Sequence, residues 1–207
     1  KGETVLDVGC GVGAAALCLA TRVPQIIVTG IDSEIDLIMI AKKIAILNKV
    51  EDRCRFFNVD LLDSIDQLQP RVFDHVMANP PYNKKDGGNP SPDPYKMIAN
   101  IEGEAKLSDW ISFCLSMVAE GGTVTFIHRY DRTSEIVPIM EKKATVSVYP
   151  LWTIAGEKKV AKRVVVQAIK GACGETSVKK GLILHAKEGG YSSEANAVLR
   201  ECKSIII

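Results

Sequence analysis

Apolar and polar positions follow two alternating periods along the chain. Thr4-Val5-Leu6-Asp7-Val8-Gly9 is a short apolar run closed by glycine, which predicts a strand. Gly13 to Arg22 is rich in alanine and leucine, with Pro24 just beyond it, which predicts a helix. Ile26 to Asp32 is β-branched and predicts a second strand. Ser33 is placed to cap the next helix, with Asp36 in its first turn and its end near Asn48. Cys54 to Asp60 and Phe73 to Ala78 read as a third and a fourth strand. From Asn79 to about Ile101 the periodicity is lost among prolines, glycines, asparagines and charges. A gap of that length in a compact domain signals a functional loop or a disordered one. Helical spacing returns from Lys106 to Val118 and stops at Gly121-Gly122. Thr123 to His128 predicts a fifth strand, and Ser134 to Lys143 a short helix interrupted by Pro138. Thr145 to Leu151, Lys162 to Ile169 and Leu182 to His185 read as further strands, and Ser193 to Cys202 as a last helix.

Strand–helix alternation with short connections implies an α/β fold, a mostly parallel sheet with helices on both faces. Ligands then bind at the carboxyl ends of the strands, beside the point where strand order reverses. The 207 residues suit a single domain spanning 1–207. The chain starts at Lys1 and enters a strand pattern almost at once, so an N-terminal segment is expected to be missing. Lysine plus arginine total 26 against 25 acids, a net charge of +1, which excludes a globally basic nucleic-acid binder but leaves room for a local basic face. No window approaches the roughly 18 apolar residues of a membrane span. The six cysteines form no CxxC pair and the three histidines are scattered, so no metal site is expected. Dispersed thiols of this kind suggest a reducing cytoplasm.

The run Asp7-Val8-Gly9-Cys10-Gly11-Val12-Gly13 joins the first strand to the first helix. Glycines at alternate positions let the backbone bend sharply and come close to a ligand. Asp32 ends the second strand about 20 residues further on, placed to accept both hydroxyls of a ribose. Asp60, at the end of the third strand, could reach an adenine amino group. Together these residues suggest a nucleoside site. Gly9, Gly11 and Ala14 also satisfy the dinucleotide pattern, so a nicotinamide enzyme stays open from the loop alone. Asp7 disfavours it, because a carboxylate there suits a cationic methionine group better than a pyrophosphate.

Asn79-Pro80-Pro81-Tyr82 comes directly after the fourth strand. Two prolines fix φ and stop the strand. The Asn79 side chain and the Pro80 carbonyl can then aim two acceptors into one pocket. Such a pair suits a planar amine whose lone pair is delocalised: accepting its two hydrogens favours pyramidalisation and frees the lone pair. Tyr82 offers a face for stacking a flat base or amide. The reaction would be in-line attack on the methyl group of S-adenosylmethionine, driven by positioning and electrostatics.

With these two motifs in place, the chain resembles the class I S-adenosylmethionine-dependent methyltransferases that carry N-P-P-Y. That group acts on adenine N6 in DNA or RNA, guanine N2 in ribosomal RNA, and glutamine in release factors. Within it the chain looks most like the small-domain family of bacterial tRNA1(Val) adenine-37 N6-methyltransferases. The segment from Lys162-Arg163 to Ile169 and the ending Tyr191-Ser192-Ser193-Glu194 running to Val198-Leu199-Arg200 carry that likeness. The resemblance implies a Rossmann-like, seven-stranded sheet with a terminal antiparallel hairpin. It implies S-adenosylmethionine held at Asp7, Gly9, Gly11, Gly13, Asp32 and Asp60, with Asn79 bordering the cofactor too. Asn79, Pro80, Pro81 and Tyr82 would form the catalytic turn on the target adenine, and RNA, most simply tRNA, would be the partner. The rival readings are a release-factor glutamine methyltransferase, a ribosomal RNA guanine N2-methyltransferase and a cofactor-binding module without turnover.

Several other residues carry weaker signals. Arg129-Tyr130-Asp131-Arg132, Glu157-Lys158-Lys159 with Lys162-Arg163, and Lys84, Lys85 and Lys96 are placed to contact a polynucleotide backbone. Trp110 falls at helical spacing with Leu107, Cys114 and Leu115 and reads as core. Cys10 reads as a small packed side chain rather than a nucleophile. His128 reads as a core or rim histidine.

Overall fold

The computed structural model describes residues 2–63, 65, 68, 70–82, 103–154 and 161–207. The loop 83–100 and residues 157–159, with their lysines, lie outside them.

Strand β1 (Thr4–Val8) feeds helix α1 (Ala14–Arg22), β2 (Ile27–Asp32), α2 (Ile35–Leu47) and β3 (Cys54–Asn58). β4 (Phe73–Ala78) comes next. Helix α3 (Leu107–Met117) runs directly into β5 (Val118–Arg129), and a 3₁₀ turn (Tyr130–Arg132) leads to α4 (Thr133–Met140). β6 (Ala144–Ile154), β7 (Ala161–Lys170), β8 (Ser177–Val178), β9 (Leu182–His185) and α5 (Ser193–Arg200) complete the described elements.

The strands form one sheet in the order β3-β2-β1-β4-β5-β7-β6-β8, with β9 also paired to β6. β1 to β5 pair in parallel with one another, whereas β7 runs antiparallel between β5 and β6. The expected parallel sheet with an antiparallel hairpin is therefore present. It exceeds seven strands because β6 is long enough to carry two short parallel partners in tandem on its outer edge, β8 at Ser147–Val148 and β9 from Leu151 onward. Covering that edge removes a row of unpaired backbone groups.

Period-2 patterning decides which face each strand residue serves. On β1, Val5 packs with α1 and α2, beside Ala16, Leu17, Ile38 and Ala41. Leu6 and Val8 point the other way, into a larger core built with Ile111, Leu115, Ile136 and Met140 of α3 and α4. The sheet is thus covered on both sides.

Three local expectations change. Helix α2 begins after Glu34, whose side chain makes no cap; the Glu34 N–H donates instead to Asp32 Oδ1 at 3.0 Å. Ser33 is therefore not the cap. Gly121-Gly122 does not end α3, which stops at Met117 when Val118 turns extended. The pair instead lies in a bulge where β5 spends Val118 to Thr123 against only Phe73 to His75 of β4. Gly121 has φ +77°, and a Cβ on Gly122 would stand 2.5 Å from the Asp74 carbonyl oxygen. The third strand stops at Asn58, so Asp60 lies two residues past its end. Among the described residues no helix is long and apolar enough to cross a membrane.

Phe126 of β5 is fully buried in the larger core. Phe126→Ala is expected to cost about 3–5 kcal/mol, from lost transfer energy plus the cavity left behind. Urea unfolding at unchanged slope measures it; a loss below about 1 kcal/mol would mean the β5 face is not the packed centre described.

Candidate active site

Two chain segments leave the sheet side by side. β1 and β4 are parallel neighbours in the register Val8↔Ala78, so the glycine loop and the Asn-Pro-Pro-Tyr turn start at one level on adjacent strands. Adjacent strands lie about 4.8 Å apart. Strand order reverses between β1 and β4, the position at which a parallel sheet opens a crevice.

The glycine loop is fixed from both sides. The Gly9 and Cys10 N–H groups both donate to the Ile31 carbonyl, at 2.8 and 2.9 Å. Gly9, Gly11 and Gly13 all have positive φ. A Cβ on Gly9 would stand 2.5 Å from the Trp110 ring, and one on Gly13 would stand 2.6 Å from the Phe56 ring. Gly11 differs: among the described residues nothing lies within 4 Å of the space where its Cβ would be, which leaves its backbone open to a ligand. Trp110 does belong to the core, as its spacing predicts, but the structure also sets its ring against Gly9. Neither Trp110 nor Phe56 carries a motif, so their contact with the loop was not readable from sequence.

Asp32 ties the loop to the second strand. Its Oδ2 accepts the Gly11 N–H at 2.8 Å while Oδ1 accepts that of Glu34. A carboxylate offers about four lone-pair directions, so both oxygens keep capacity for a ribose. The Val59 N–H donates to the Asp32 carbonyl at 3.0 Å, which brings the neighbouring Asp60 beside it. Asp60 Oδ1 accepts the Leu62 N–H at 2.9 Å, holding its own turn.

Asp7 is 4% exposed, beneath the loop rather than on its surface. Burial raises its carboxyl from 3.8 to about 7, opposed by the Ala16 backbone N–H in the first turn of α1 and reinforced by Asp32. Among the described residues its Oδ2 has no hydrogen-bond partner. A buried, orphaned carboxylate under an open glycine is the feature of this crevice that fits a ligand bearing positive charge. Burial, with Asp7 and Asp32 nearby, pushes the Cys10 thiol well above its usual range. That keeps it protonated and excludes it as a nucleophile.

At the β4 exit Pro80 is buried and Asn79 exposed. The Tyr82 hydroxyl donates to Asn79 Oδ1 at 2.6 Å. His128 of β5 is fully buried under this turn. Its Nε2 lies 3.3 Å from the Pro81 carbonyl, and its ring meets Tyr82 edge-on at 5.3 Å. The histidine read from sequence as core or rim is therefore core, and it props the turn from below. Of the basic clusters, Arg132 is buried and paired with Glu135 at 2.7 Å, so it is withdrawn from any phosphate. Arg129 is paired with Asp131 at 3.0 Å. Trp152 donates from Nε1 to the Lys180 carbonyl at 2.9 Å and tilts against Tyr130 at 6.3 Å.

The structure thus brings Asp7, Gly9, Gly11, Gly13, Asp32, Asp60, Asn79, Pro80, Pro81 and Tyr82 to one end of one sheet. In the folded chain Asp7 keeps a proton that the unfolded chain has released between about pH 4 and 7, so it makes stability fall as pH rises through that window. Asp7→Asn stays neutral. Its stability relative to wild type is expected to grow from about pH 4 to about pH 8 and then level off. Thermal unfolding of both proteins measures it, and a pH-independent difference contradicts the placement of Asp7.

Residues 1–91 match the family model described as methyltransferase small domain. The tRNA1(Val) (adenine(37)-N6)-methyltransferase of Vibrio campbellii is 27% identical over 207 residues, covering 95% of this chain and 79% of that protein. The release factor glutamine methyltransferase of Rhodopirellula baltica is 38% identical, but over only 79 residues, 38% of this chain and 26% of that protein. Among solved structures, a predicted O-methyltransferase from Agrobacterium tumefaciens superposes with a TM-score of 0.76 at 20% identity, covering 96% of this chain and 88% of that one. That last likeness concerns the fold. The matched residues contain both the glycine loop and the Asn-Pro-Pro-Tyr turn; with the relatives above they mark the chain as a methyltransferase, similar over residues 1–91 to the small-domain family.

Proposed function

We propose that the chain is a single domain that transfers a methyl group from S-adenosylmethionine to an exocyclic amino nitrogen, adenine N6 in RNA and most simply in tRNA. The observation that carries this reading is the Val8↔Ala78 register, which sets a nucleoside crevice beside an amide acceptor. Likeness to the Vibrio tRNA enzyme along nearly the whole chain supports the choice of substrate over release-factor glutamine. The likeness to glutamine enzymes is less extended, 38% of this chain for the Rhodopirellula protein and 76%, at 26% identity, for a release factor glutamine methyltransferase of Aliivibrio fischeri.

S-adenosylmethionine, when bound, supplies an electrophilic methyl group on a positively charged sulfur. The chain's own residues hold and orient. Gly9, Gly11 and Gly13 shape the crevice, Asp32 accepts the ribose hydroxyls, Asp60 faces the adenine edge, and Asp7 adds negative charge beneath the methionine end. Tyr82 orients the Asn79 amide through the 2.6 Å bond and leaves Oδ1 a second lone pair for a substrate N–H. The Pro80 carbonyl accepts the second hydrogen. With both hydrogens held, the amine lone pair turns out of conjugation. No strong base is needed before attack, because the proton becomes acidic only once nitrogen is alkylated, and water then takes it. The free cysteines suit a reducing compartment such as the cytoplasm.

The test is methyl transfer from labelled S-adenosylmethionine into unmodified tRNA, ribosomal RNA and total protein, with digestion to identify the labelled unit. N6-methyladenosine in tRNA is expected, and methylglutamine in protein would overturn the substrate assignment. Asn79→Ala is expected to lower turnover by about 10²-fold or more, as loss of one preorganised polar contact does, with cofactor affinity nearly unchanged. An equal loss of cofactor binding would place Asn79 in the cofactor site instead.

A further inference from the structure

Tyr82 is the residue expected to stack the substrate, yet one face of its ring is already covered. The Arg163 guanidinium carbon lies 4.4 Å from the ring centroid. His128 stands perpendicular to the ring, at 90° and 5.3 Å between centroids, and the hydroxyl is bonded to Asn79. The ring is therefore held by His128 and through its oxygen, while a face is covered by a side chain on a long flexible stem.

Arg163 has a reason to be there. It lies near the start of β7, directly across from Arg129 of β5. Two like charges directly opposite in an antiparallel pair are unfavourable. Arg129 is neutralised by Asp131. Arg163 is half-buried and makes a long 3.3 Å bond from Nη1 to the Lys162 carbonyl. Its cation is otherwise set on the negative face of the Tyr82 ring. A guanidinium is planar and weakly hydrated, which suits it to stack on a flat surface, whereas a lysine ammonium is a compact, strongly hydrated point charge. Unstacked nucleobases are commonly held on aromatic rings and on arginine planes.

We propose that Arg163 is the second wall of a slot for a planar aromatic amine: its guanidinium lies on Tyr82 when the slot is empty and on the outer face of the nucleobase when the base is in place. This rests on the reading of Asn79-Pro80-Pro81-Tyr82 as an amine site and narrows the substrate class. Opening the slot exchanges one cation–ring stack for another, so the base enters without stranding a charge. A side-chain carboxamide has no ring face to receive the guanidinium and leaves it uncovered. Arg163 thereby favours a nucleobase over glutamine. It acts on the base and not on the RNA backbone, in contrast to the phosphate contact that its place in a basic cluster suggests.

The test uses the full chain, labelled S-adenosylmethionine, unmodified tRNA and, in a parallel reaction, total protein, with Arg163→Ala, Arg163→Lys and, as a reference, Asn79→Ala. Arg163→Ala and Arg163→Lys are both expected to lower kcat/KM for tRNA by roughly tenfold or more, chiefly through KM, as loss of one base-stacking partner does. S-adenosylhomocysteine affinity, measured by calorimetry, is expected to stay within about twofold of wild type, since no cofactor contact is removed. The slope of log kcat/KM against log salt is expected to match wild type, because no phosphate contact is lost. Wild-type kinetics in Arg163→Lys, or a salt slope shallower by about one, would make Arg163 a phosphate contact and overturn the slot. So would wild-type kinetics in Arg163→Ala, or a parallel loss of S-adenosylhomocysteine binding. Label entering protein glutamine rather than nucleic acid overturns both the site reading and the slot. Full activity in Asn79→Ala overturns the site reading by itself.

Discussion

One pairing register organises this protein. β1 and β4 are far apart in sequence but hydrogen-bonded as parallel neighbours, with Val8 opposite Ala78. A slip of one residue would turn Leu6 and Val8 out of the larger core, so burial enforces the register. Its consequence is that the residues after Val8 and after Ala78 emerge together. The loop after Val8 cannot continue the strand because its glycines take positive φ. The turn after Ala78 cannot continue it because two prolines forbid it. Two abrupt exits at one level create a crevice with donors and acceptors from both.

Each exit is then stiffened by neighbours that carry no motif themselves. Trp110 presses on Gly9 from the side of α3, Phe56 on Gly13 from β3, and Asp32 bonds Gly11 from β2. On the other exit His128 supports Pro81 and Tyr82, and Tyr82 fixes Asn79. This arrangement suits a reaction in which the protein has little covalent chemistry to perform. Methyl transfer between two bound partners depends on holding the reacting atoms close and aligned, and rigid elements do this better than mobile ones. Asp7 is the energetic exception. A buried carboxyl with an orphaned oxygen costs stability when ionised, a cost of the kind that concentrates at binding sites.

The two motifs were legible in the sequence because each rests on backbone rules that hold locally: alternate glycines at a strand end, and an asparagine before a proline pair. The mostly parallel direction of the first strands was legible too, since strand and helix periods alternate up to the third strand and return with the helix before the fifth. The additional β8 was not, because Ser177–Val178 is too short to show a period and forms only where the edge of β6 receives it. Gly121-Gly122 read as a helix stop, yet tertiary pairing with β4 turned it into a bulge. The covering of Tyr82 by Arg163 joins residues about half the chain apart. Only the sheet order, which puts β7 beside β5, brings them together.

Everything functional in this reading depends on the two exits holding a methyl donor and an amine acceptor against each other. A crystal structure of the full chain with S-adenosylhomocysteine and adenosine monophosphate would show whether they do. The thioether sulfur is expected over Gly11 and the exocyclic nitrogen bonded to Asn79 Oδ1, with the line from sulfur to nitrogen unobstructed and only a methyl group's space between them. Ligand seated in the crevice with the adenine amine elsewhere than at Asn79 would contradict it.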